Sequence, residues 1–315
     1  MPDRFNGESV FGPAAGGEGS RHSCGIAFMA KASAPGRAKT RLVPPLTFDE
    51  AADLNTAFLQ DVAENLIRAG EQAGADANQH TAIVGYAAYG PPGSTDFFRG
   101  ILPGAIGLIE AWLPNFGDCL FHTIGEIFRR GHDSAVVLNS DSPTLPTAFL
   151  VETAEVLARP GDRAVLGPST DGGYYLLGLK HPHARMFEDI TWSTERVAEQ
   201  TLARAREIGP DVHMLPAWYD VDDVDALRRL RAELSFSFPS PLVGEGEGGE
   251  WPASKKTTTP TYPSPQGGGV HALLASSQHA PRFAAHTAAL MRHLVRERDF
   301  GRAAVGRFAT ERIHA

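Results

Sequence analysis

The chain has 315 residues, of which 42% are apolar and 21% are charged, and its formal net charge is −8. This length suits one large α/β domain or two small ones, and the acidic balance argues against a general nucleic-acid-binding protein. Two cysteines make neither a disulfide framework nor a zinc site, so we expect a reducing, cytoplasmic location. No stretch approaches the roughly 18–20 uninterrupted apolar residues of a membrane span, and the sequence leaves the oligomeric state open.

The first predicted strand leads into a basic loop. Residues 24–30 form an apolar run typical of a short buried strand, and Pro35 and Gly36 then turn the chain tightly. Four cations lie in this loop: Lys31, Arg37, Lys39 and Arg41. Such cations and the amides of a tight turn can converge on phosphate oxygens, which predicts a nucleotide diphosphate or triphosphate as ligand. The alternative is a solvated loop, because the glycine-rich pattern of a P-loop is absent.

A capping box predicts the start of the first helix. Thr47 and Glu50 have the required spacing, and apolar residues recur at helical spacing up to Gly70, where we expect the helix to end. A second buried strand is predicted at 81–88. The segment 95–112 favours only short helical pieces, and 116–130 is predicted to be a helix.

Strands and helices alternate over the following hundred or so residues. Strands are predicted at 135–138, 163–166, 176–179 and 212–215, and helices at 149–158, from a cap at Trp192-Ser193-Thr194 to about residue 208, and after Asp223. This alternation predicts an α/β fold with a mostly parallel central sheet and helices on both faces.

The composition also divides the chain into regions. Residues 1–22 are predicted to form a flexible N-terminal arm, and 23–234 a folded α/β domain. The segment 235–270 is rich in Pro, Gly, Ser and Thr, which is typical of a disordered linker or insertion. Residues 271–315 favour one or two basic helices that form a peripheral appendage.

Two aspartates mark a candidate metal site. Asp141 follows the strand 135–138, at the edge where open α/β sheets bind ligands, and Asp222 precedes the last helix. Taken singly, Asp141 could belong to a Ser/Pro turn and Asp222 could be a helix N-cap. Together with a phosphate-rich ligand, two hard carboxylates make the usual Mg²⁺ or Mn²⁺ site. We therefore predict both as metal ligands, with Asp141 also catalytic.

A third loop places Asp171 next to Gly172, Gly173 and Tyr174. The glycine pair predicts a hairpin turn between two strands. It also leaves backbone open to a ligand, so Asp171 is a candidate acceptor or base for a sugar or acceptor hydroxyl. The two interpretations are compatible.

Five motifs follow one another along the chain: Lys31-x-x-x-Pro35-Gly36-x-x-Lys39-Thr40-Arg41-Leu42, Ser140-Asp141-Ser142-Pro143-x-Leu145, Gly167-Pro168-x-x-Asp171-Gly172-Gly173-Tyr174-Tyr175-Leu176-x-Gly178-Leu179, Trp192-Ser193-Thr194 and Asp220-Val221-Asp222. Over about residues 26–234, this series resembles the bacterial DUF2064 family of GT-A-like glycosyltransferases, some of whose members are named arsenosugar biosynthesis glycosyltransferases. The chain departs from the family pattern at Ser33, Thr144, Ala226 and 118–122.

The resemblance implies a GT-A, nucleotide-diphospho-sugar transferase-like fold. It implies a nucleotide loop made of Lys31, Gly36, Lys39, Thr40 and Arg41. It places Asp141 as the first metal-binding aspartate and Asp222 as the acidic residue that completes the site. Substrate contacts are expected from Gly172, Gly173, Tyr174 and Trp192, on the acceptor side with Asp171.

The leading hypothesis is a glycosyltransferase that uses Mg²⁺ or Mn²⁺ to move a sugar from a nucleotide-diphosphate donor to a small-molecule acceptor. One alternative is a nucleotidyltransferase that takes a nucleoside triphosphate and releases pyrophosphate. Another is a non-catalytic nucleotide-binding protein.

Overall fold

A computed structural model of the chain describes residues 21–75, 81–236 and 282–295. Its strands are β1 (His22–Lys31), β2 (Thr81–Gly90), β3 (Gly107–Glu110), β4 (Ser134–Leu138), β5 (Arg163–Pro168), β6 (Tyr174–Leu179) and β7 (Asp211–Met214). Its helices are α1 (Phe48–Ala75), α2 (Thr95–Ile101), α3 (Phe116–Arg129), α4 (Thr147–Ala158), α5 (Val197–Ile208) and α6 (Val224–Phe236). The predicted N-terminal arm and linker lie almost wholly outside the described residues.

The strands of these described ranges form one sheet in the order β3-β2-β1-β4-β6-β5-β7. Neighbouring strands are parallel except at β6, which is antiparallel to both β4 and β5. The other six strands therefore end at one edge of the sheet. This confirms the predicted mostly parallel α/β architecture, with β1 and β4 at its centre.

Helices cover both faces of the sheet, and each face has its own core. On one face, apolar side chains of α1, α4 and α6 pack against the sheet around Phe28, Phe58 and Phe149. On the other face, α3 and α5 pack around Ile124, Leu177 and Met186. Burial on both faces explains why β4 is apolar from Ala135 to Leu138.

The predicted capping box starts α1. The Thr47 amide donates to Glu50 Oε2 at 2.6 Å, and the Glu50 amide donates to Thr47 Oγ1 at 3.2 Å. The predicted end of this helix at Gly70 is wrong, because α1 continues to Ala75. A side chain at Gly70 would approach the carbonyl oxygen of Ile83 to 3.0 Å, so this glycine allows the helix to pack closely on β2.

Two other predictions need correction. The segment 95–112 contains the short strand β3 as well as α2. Helix α5 begins at Val197, with Arg196 at its N-cap position, so the Trp192-Ser193-Thr194 segment does not cap it. Instead, Thr194 Oγ1 donates to the Thr191 carbonyl at 2.7 Å and shapes the turn before the helix.

The described part of the predicted C-terminal appendage packs on α1. Its helical segment, 285–295, begins where Asp61 accepts hydrogen bonds from the amides of His286 and Thr287 and from the Thr287 hydroxyl. Just before it, Arg282 donates its amide to the Thr144 carbonyl at 2.9 Å. The segment therefore touches the loop that carries Asp141. Residues 271–281 and 296–315 lie outside the described ranges.

Among the helices of the described ranges, none is both long and apolar enough to cross a membrane.

Candidate functional site

A cleft of about 500 Å³ opens at the edge where β1, β2, β3 and β4 end. It is bordered by the basic loop after β1, by Trp112 after β3 and by Asp141 after β4. Ligands of open α/β sheets bind at this edge, because loops from adjacent strands diverge there and leave a crevice.

The basic loop is shaped by two unusual backbone conformations. Gly36 has φ +73° in the turn closed by the Arg37 amide and the Ala34 carbonyl, which explains the glycine. Lys39 has φ +48° and ψ +37°, a left-handed conformation that costs a residue with a side chain about 1–2 kcal/mol. Ser33, one departure from the family pattern, accepts hydrogen bonds from Asn55 and Thr56 and so ties the loop to α1.

The Lys39 ammonium group joins the two predicted metal ligands. Its Nζ lies 2.8 Å from Asp141 Oδ1 and 2.8 Å from Asp222 Oδ1, and it donates to the Val221 carbonyl at 3.0 Å. The Lys39 side chain is 5% exposed, while those of Asp141 and Asp222 are 30% and 40% exposed. One cation therefore touches both carboxylates, and each carboxylate still faces the cleft.

Residues 215–222 bring Asp222 to Asp141. After β7 the chain runs along the end of β5, where the Trp218 amide bonds the Pro168 carbonyl, and it then crosses to the Asp141 loop. There the Val221 amide donates to the Asp141 carbonyl at 2.8 Å. The N-cap of α6 is Asp223, whose Oδ1 accepts from the Ala226 amide at 2.8 Å. The neighbouring Asp222 is thus left to face Lys39.

Electrostatics at the site favour a cationic Lys39 and raise the pKa of Asp220. Burial alone would lower the pKa of Lys39, but attraction to Asp141 and Asp222 and the hydrogen bonds to them outweigh it, so the pKa is raised. Burial, together with the charges of Asp171 and Asp222, raises the pKa of Asp220 to about 6. Ser169 holds Asp220 with a hydrogen bond of 2.9 Å.

The hairpin between β5 and β6 forms as the glycine pair predicts. Asp171 Oδ1 accepts from the Gly173 amide at 2.9 Å, so this carboxylate supports the turn. Gly172 has φ +96°, and a side chain there would overlap the Glu195 carbonyl. The group that approaches Gly172 closely is therefore the Glu195 carbonyl of the same chain and not a ligand. Burial raises the pKa of Tyr174, whose hydroxyl has no hydrogen-bond partner among the described residues.

The structure separates the predicted site residues into two groups. Those that line the cleft are Lys31, Lys39, Thr40, Arg41, Asp141, Asp222 and Tyr174. Those not among its lining residues in the described ranges are Gly36, Asp171, Gly172, Gly173 and Trp192.

Among the cleft-lining residues that sequence analysis missed are Asn55, Trp112, Phe116 and Asn139. Asn139 directly follows β4, a position that could have been found from the strand alone. The others come from a helix face and from the segment after β3, where the sequence carries no comparable signal.

Two groups of side chains in the described ranges place carboxylates close together. Asp141 and Asp222 offer hard carboxylate oxygens that a single cation already bridges, which fits Mg²⁺ or Mn²⁺ completed by phosphate oxygens and water. Asp61, Glu64 and His286 also lie close together. Asp61, however, accepts bonds from the start of segment 285–295, and Glu64 pairs with His286 and Arg282. That second cluster is a packing contact between helices.

Comparisons with known proteins identify the family. A family model described as an uncharacterised protein conserved in bacteria (DUF2064) matches residues 72–194. A crystal structure from Desulfovibrio desulfuricans G20, of a protein provisionally assigned as a nucleotide-diphospho-sugar transferase, is 30% identical with a TM-score of 0.57. That match covers 66% of this chain and 85% of the other. No curated protein matches the chain.

Two more distant structures are also similar to the chain. A cytidylyltransferase from Leptospira borgpetersenii serovar Hardjo-bovis is 12% identical over 70% of this chain and 89% of that one, with a TM-score of 0.42. Rv0371c from Mycobacterium tuberculosis H37Rv, in complex with manganese, is 17% identical over 66% and 97%, with a TM-score of 0.36.

The motifs, the sheet order, the family model and the relative from Desulfovibrio agree. The chain belongs to the bacterial DUF2064 family and has a nucleotide-diphospho-sugar transferase-like fold.

Proposed function

We propose that this protein is a metal-dependent glycosyltransferase that moves a sugar from a nucleotide-diphosphate donor to a hydroxyl of a small-molecule acceptor. The observation that carries the proposal is the contact of Lys39 with both Asp141 and Asp222 in a cleft at the carboxyl edge of the sheet. The relative from Desulfovibrio supports it through its own provisional assignment.

The chain's own residues would bind the diphosphate from two sides. Lys31 and Arg41 line the cleft and are exposed, so they can contact phosphate oxygens directly. Lys39 holds the two acidic loops at a fixed separation. In a cleft that partly excludes water, positive charges placed beforehand stabilise the charge that develops on a leaving diphosphate.

Asp141 and Asp222 are the residues that would hold Mg²⁺ or Mn²⁺. When bound, the ion would neutralise charge on the diphosphate. Asp171 is proposed as hydrogen-bond acceptor or base for the acceptor hydroxyl, with Tyr174 and Trp192; of these three, Tyr174 lines the cleft, and Asp171 and Trp192 are outside its lining in the described ranges. Because Asp171 Oδ1 accepts from the Gly173 amide, Oδ2 is the oxygen proposed to contact the acceptor hydroxyl.

Product analysis tests the proposal. The full chain would be incubated with Mn²⁺, a panel of nucleotide sugars and candidate acceptors, and the products followed by ³¹P nuclear magnetic resonance. Glycosyl transfer gives the nucleoside diphosphate, and the Asp141→Ala variant should abolish its formation. Binding without turnover across the panel would instead support a non-catalytic nucleotide-binding protein.

Nucleotidyl transfer is the second candidate. The basic loop carries Lys31, Arg37 and Arg41 beside the cleft in addition to Lys39, which is enough positive charge for a triphosphate. The same experiment with nucleoside triphosphates and phosphorylated acceptors separates the two, because nucleotidyl transfer releases pyrophosphate.

A further inference from the structure

Exposed aromatic side chains border the cleft on the side of β3. Trp112 and Phe116 are 51% and 52% exposed, and both line the cleft. Leu113, between them in sequence, is also exposed. Exposing such large apolar side chains together is unfavourable in water, so a patch of this kind usually marks a binding surface.

Glycines let the aromatic side chains of this patch pack closely on the backbone and on each other. A side chain at Gly90 would overlap the Trp112 indole, so this ring rests on the backbone at the end of β2. In the same way Gly117 makes room for Trp192, whose ring meets the edge of Phe116 with centroids 5.4 Å apart. A ring that already packs on its neighbours loses less conformational entropy when a ligand stacks on it than a ring without such contacts.

Trp112 lies next to the basic loop. In the parallel register of β1 and β2, Gly90 pairs with Lys31, and the Ala32 amide donates to the Gly90 carbonyl at 2.9 Å. A ligand that fills the cleft therefore meets a flat apolar ring and a cluster of cations side by side. A nucleoside diphosphate joins a flat base to an anion in one molecule.

The order of the strands decides which group of the ligand meets Trp112. Along the sheet, the segment after β3 comes first, then the basic loop after β1, and then the Asp141 loop after β4. A nucleotide sugar has the same order of groups: base, diphosphate and sugar. With the diphosphate between the basic loop and Asp141, the base falls on the β3 side.

We infer that Trp112 stacks on the base of the nucleotide donor, an inference that rests on the proposed function. Stacking of a base on an aromatic side chain contributes about 1–3 kcal/mol by alanine substitution, which corresponds to roughly 5- to 150-fold in affinity. Phe116 closes the same side of the cleft. Stacking on Trp112 would accept any of the bases, since every base has a π-face.

Calorimetry on the full chain with Mn²⁺ tests the inference with three probes: inorganic pyrophosphate, UDP and GDP. The Trp112→Ala variant should weaken binding of UDP and GDP by at least fivefold and leave pyrophosphate binding unchanged. Trp112→Phe should restore most of the loss. Leu113→Ala is the matched control, because Leu113 is exposed nearby but is not among the cleft-lining residues of the described ranges.

Other calorimetric results would contradict the base platform or the proposed function. If Trp112→Ala weakens all three probes equally or none of them, the base platform is wrong while the anion site stands. If the wild-type protein binds pyrophosphate as tightly as UDP and GDP, the platform is likewise wrong. If it binds none of the three, the proposed function fails, and the platform with it.

Discussion

Asp222 and Asp223 are neighbours in sequence with different contacts. Asp222 pairs with Lys39, and Asp223 caps α6 through the Ala226 amide. We expect Asp222→Asn to weaken Mn²⁺-dependent pyrophosphate binding by at least the roughly 10- to 100-fold that loss of a partner around a metal costs. Asp223→Ala should leave that affinity unchanged and lower the free energy of unfolding by about 1 kcal/mol.

Calorimetry and urea unfolding of both variants measure the two effects. The reverse result, in which Asp223→Ala loses pyrophosphate binding and Asp222→Asn loses stability, would show that Asp223 is the site residue and Asp222 the cap.

Gly172 and Gly36 both have positive φ but differ in their surroundings. A methyl group at Gly172 would overlap the Glu195 carbonyl, whereas at Gly36 the nearest atom outside the adjacent residues is 4.0 Å away, on Phe48. Gly172→Ala should therefore lower the free energy of unfolding by roughly 2–4 kcal/mol, and Gly36→Ala by only about 1–2 kcal/mol. Urea unfolding compares them, and equal losses would mean that backbone conformation alone matters at both positions.

At the scale of elements, a polar link joins three of them at the edge of the sheet away from the cleft. His132, after α3, bonds Ser23 of β1 and Tyr86 of β2 at 2.7 Å each. Burial lowers its pKa, with Asp133 opposing and Arg130 adding to the effect. Burial also lowers the pKa of His22.

These histidines predict a loss of stability in mild acid. Below a pH of about 6.5 the unfolded chain takes up protons that the folded chain resists, so the free energy of unfolding falls as the pH decreases. Urea unfolding between pH 7.5 and 5 should show this slope, and His132→Gln should make it shallower. His181→Gln, at an exposed position, is the control. An unchanged slope in His132→Gln would exclude this residue as a cause.

The sequence predicts the larger elements well. The same physical reasons explain why β3 and the end of α1 were predicted wrongly. Buried strands such as β4 and the capping box of α1 depend on local pattern, which the sequence contains. β3 has four residues, too few for a periodic signal, and α1 passes Gly70 because that glycine packs on β2. At the site, residue types pointed to Asp141 and Asp222. The left-handed backbone of Lys39 and the choice of cap between two aspartates depend on distant contacts that no local pattern carries.

At the scale of the whole molecule, the C-terminal segment connects α1 to the Asp141 loop. Asp61 of α1 holds the start of segment 285–295, and Arg282 bonds the Thr144 carbonyl three residues after Asp141. Thr144 itself, another departure from the family pattern, bonds Glu233 of α6. Elements distant in sequence thus support one side of the loop.

Removal of the Asp61 carboxylate should release this segment. In Asp61→Ala we expect hydrogen exchange at the amides of Arg282, His286 and Thr287 to accelerate roughly 5- to 30-fold, the equivalent of about 1–2 kcal/mol. Mass spectrometry of exchanged peptides measures it. Asp53→Ala, an exposed carboxylate on the same helix, should change nothing. Equal protection in wild type and Asp61→Ala would mean that the segment is held by its apolar contacts alone.

Lys39 gives the protein a permanent competitor for any cation that approaches its two carboxylates. Because the competitor is tethered, its effective concentration at the site does not fall when salt or protein is diluted. A free divalent ion gains little by displacing it, whereas an ion that arrives with phosphate groups offers the displaced ammonium new partners. We therefore expect weak binding of Mn²⁺ alone and much tighter binding together with pyrophosphate in calorimetric titrations. The contact of Lys39 with the two carboxylates would then make the protein select a divalent ion that is bound to phosphate groups over the free ion.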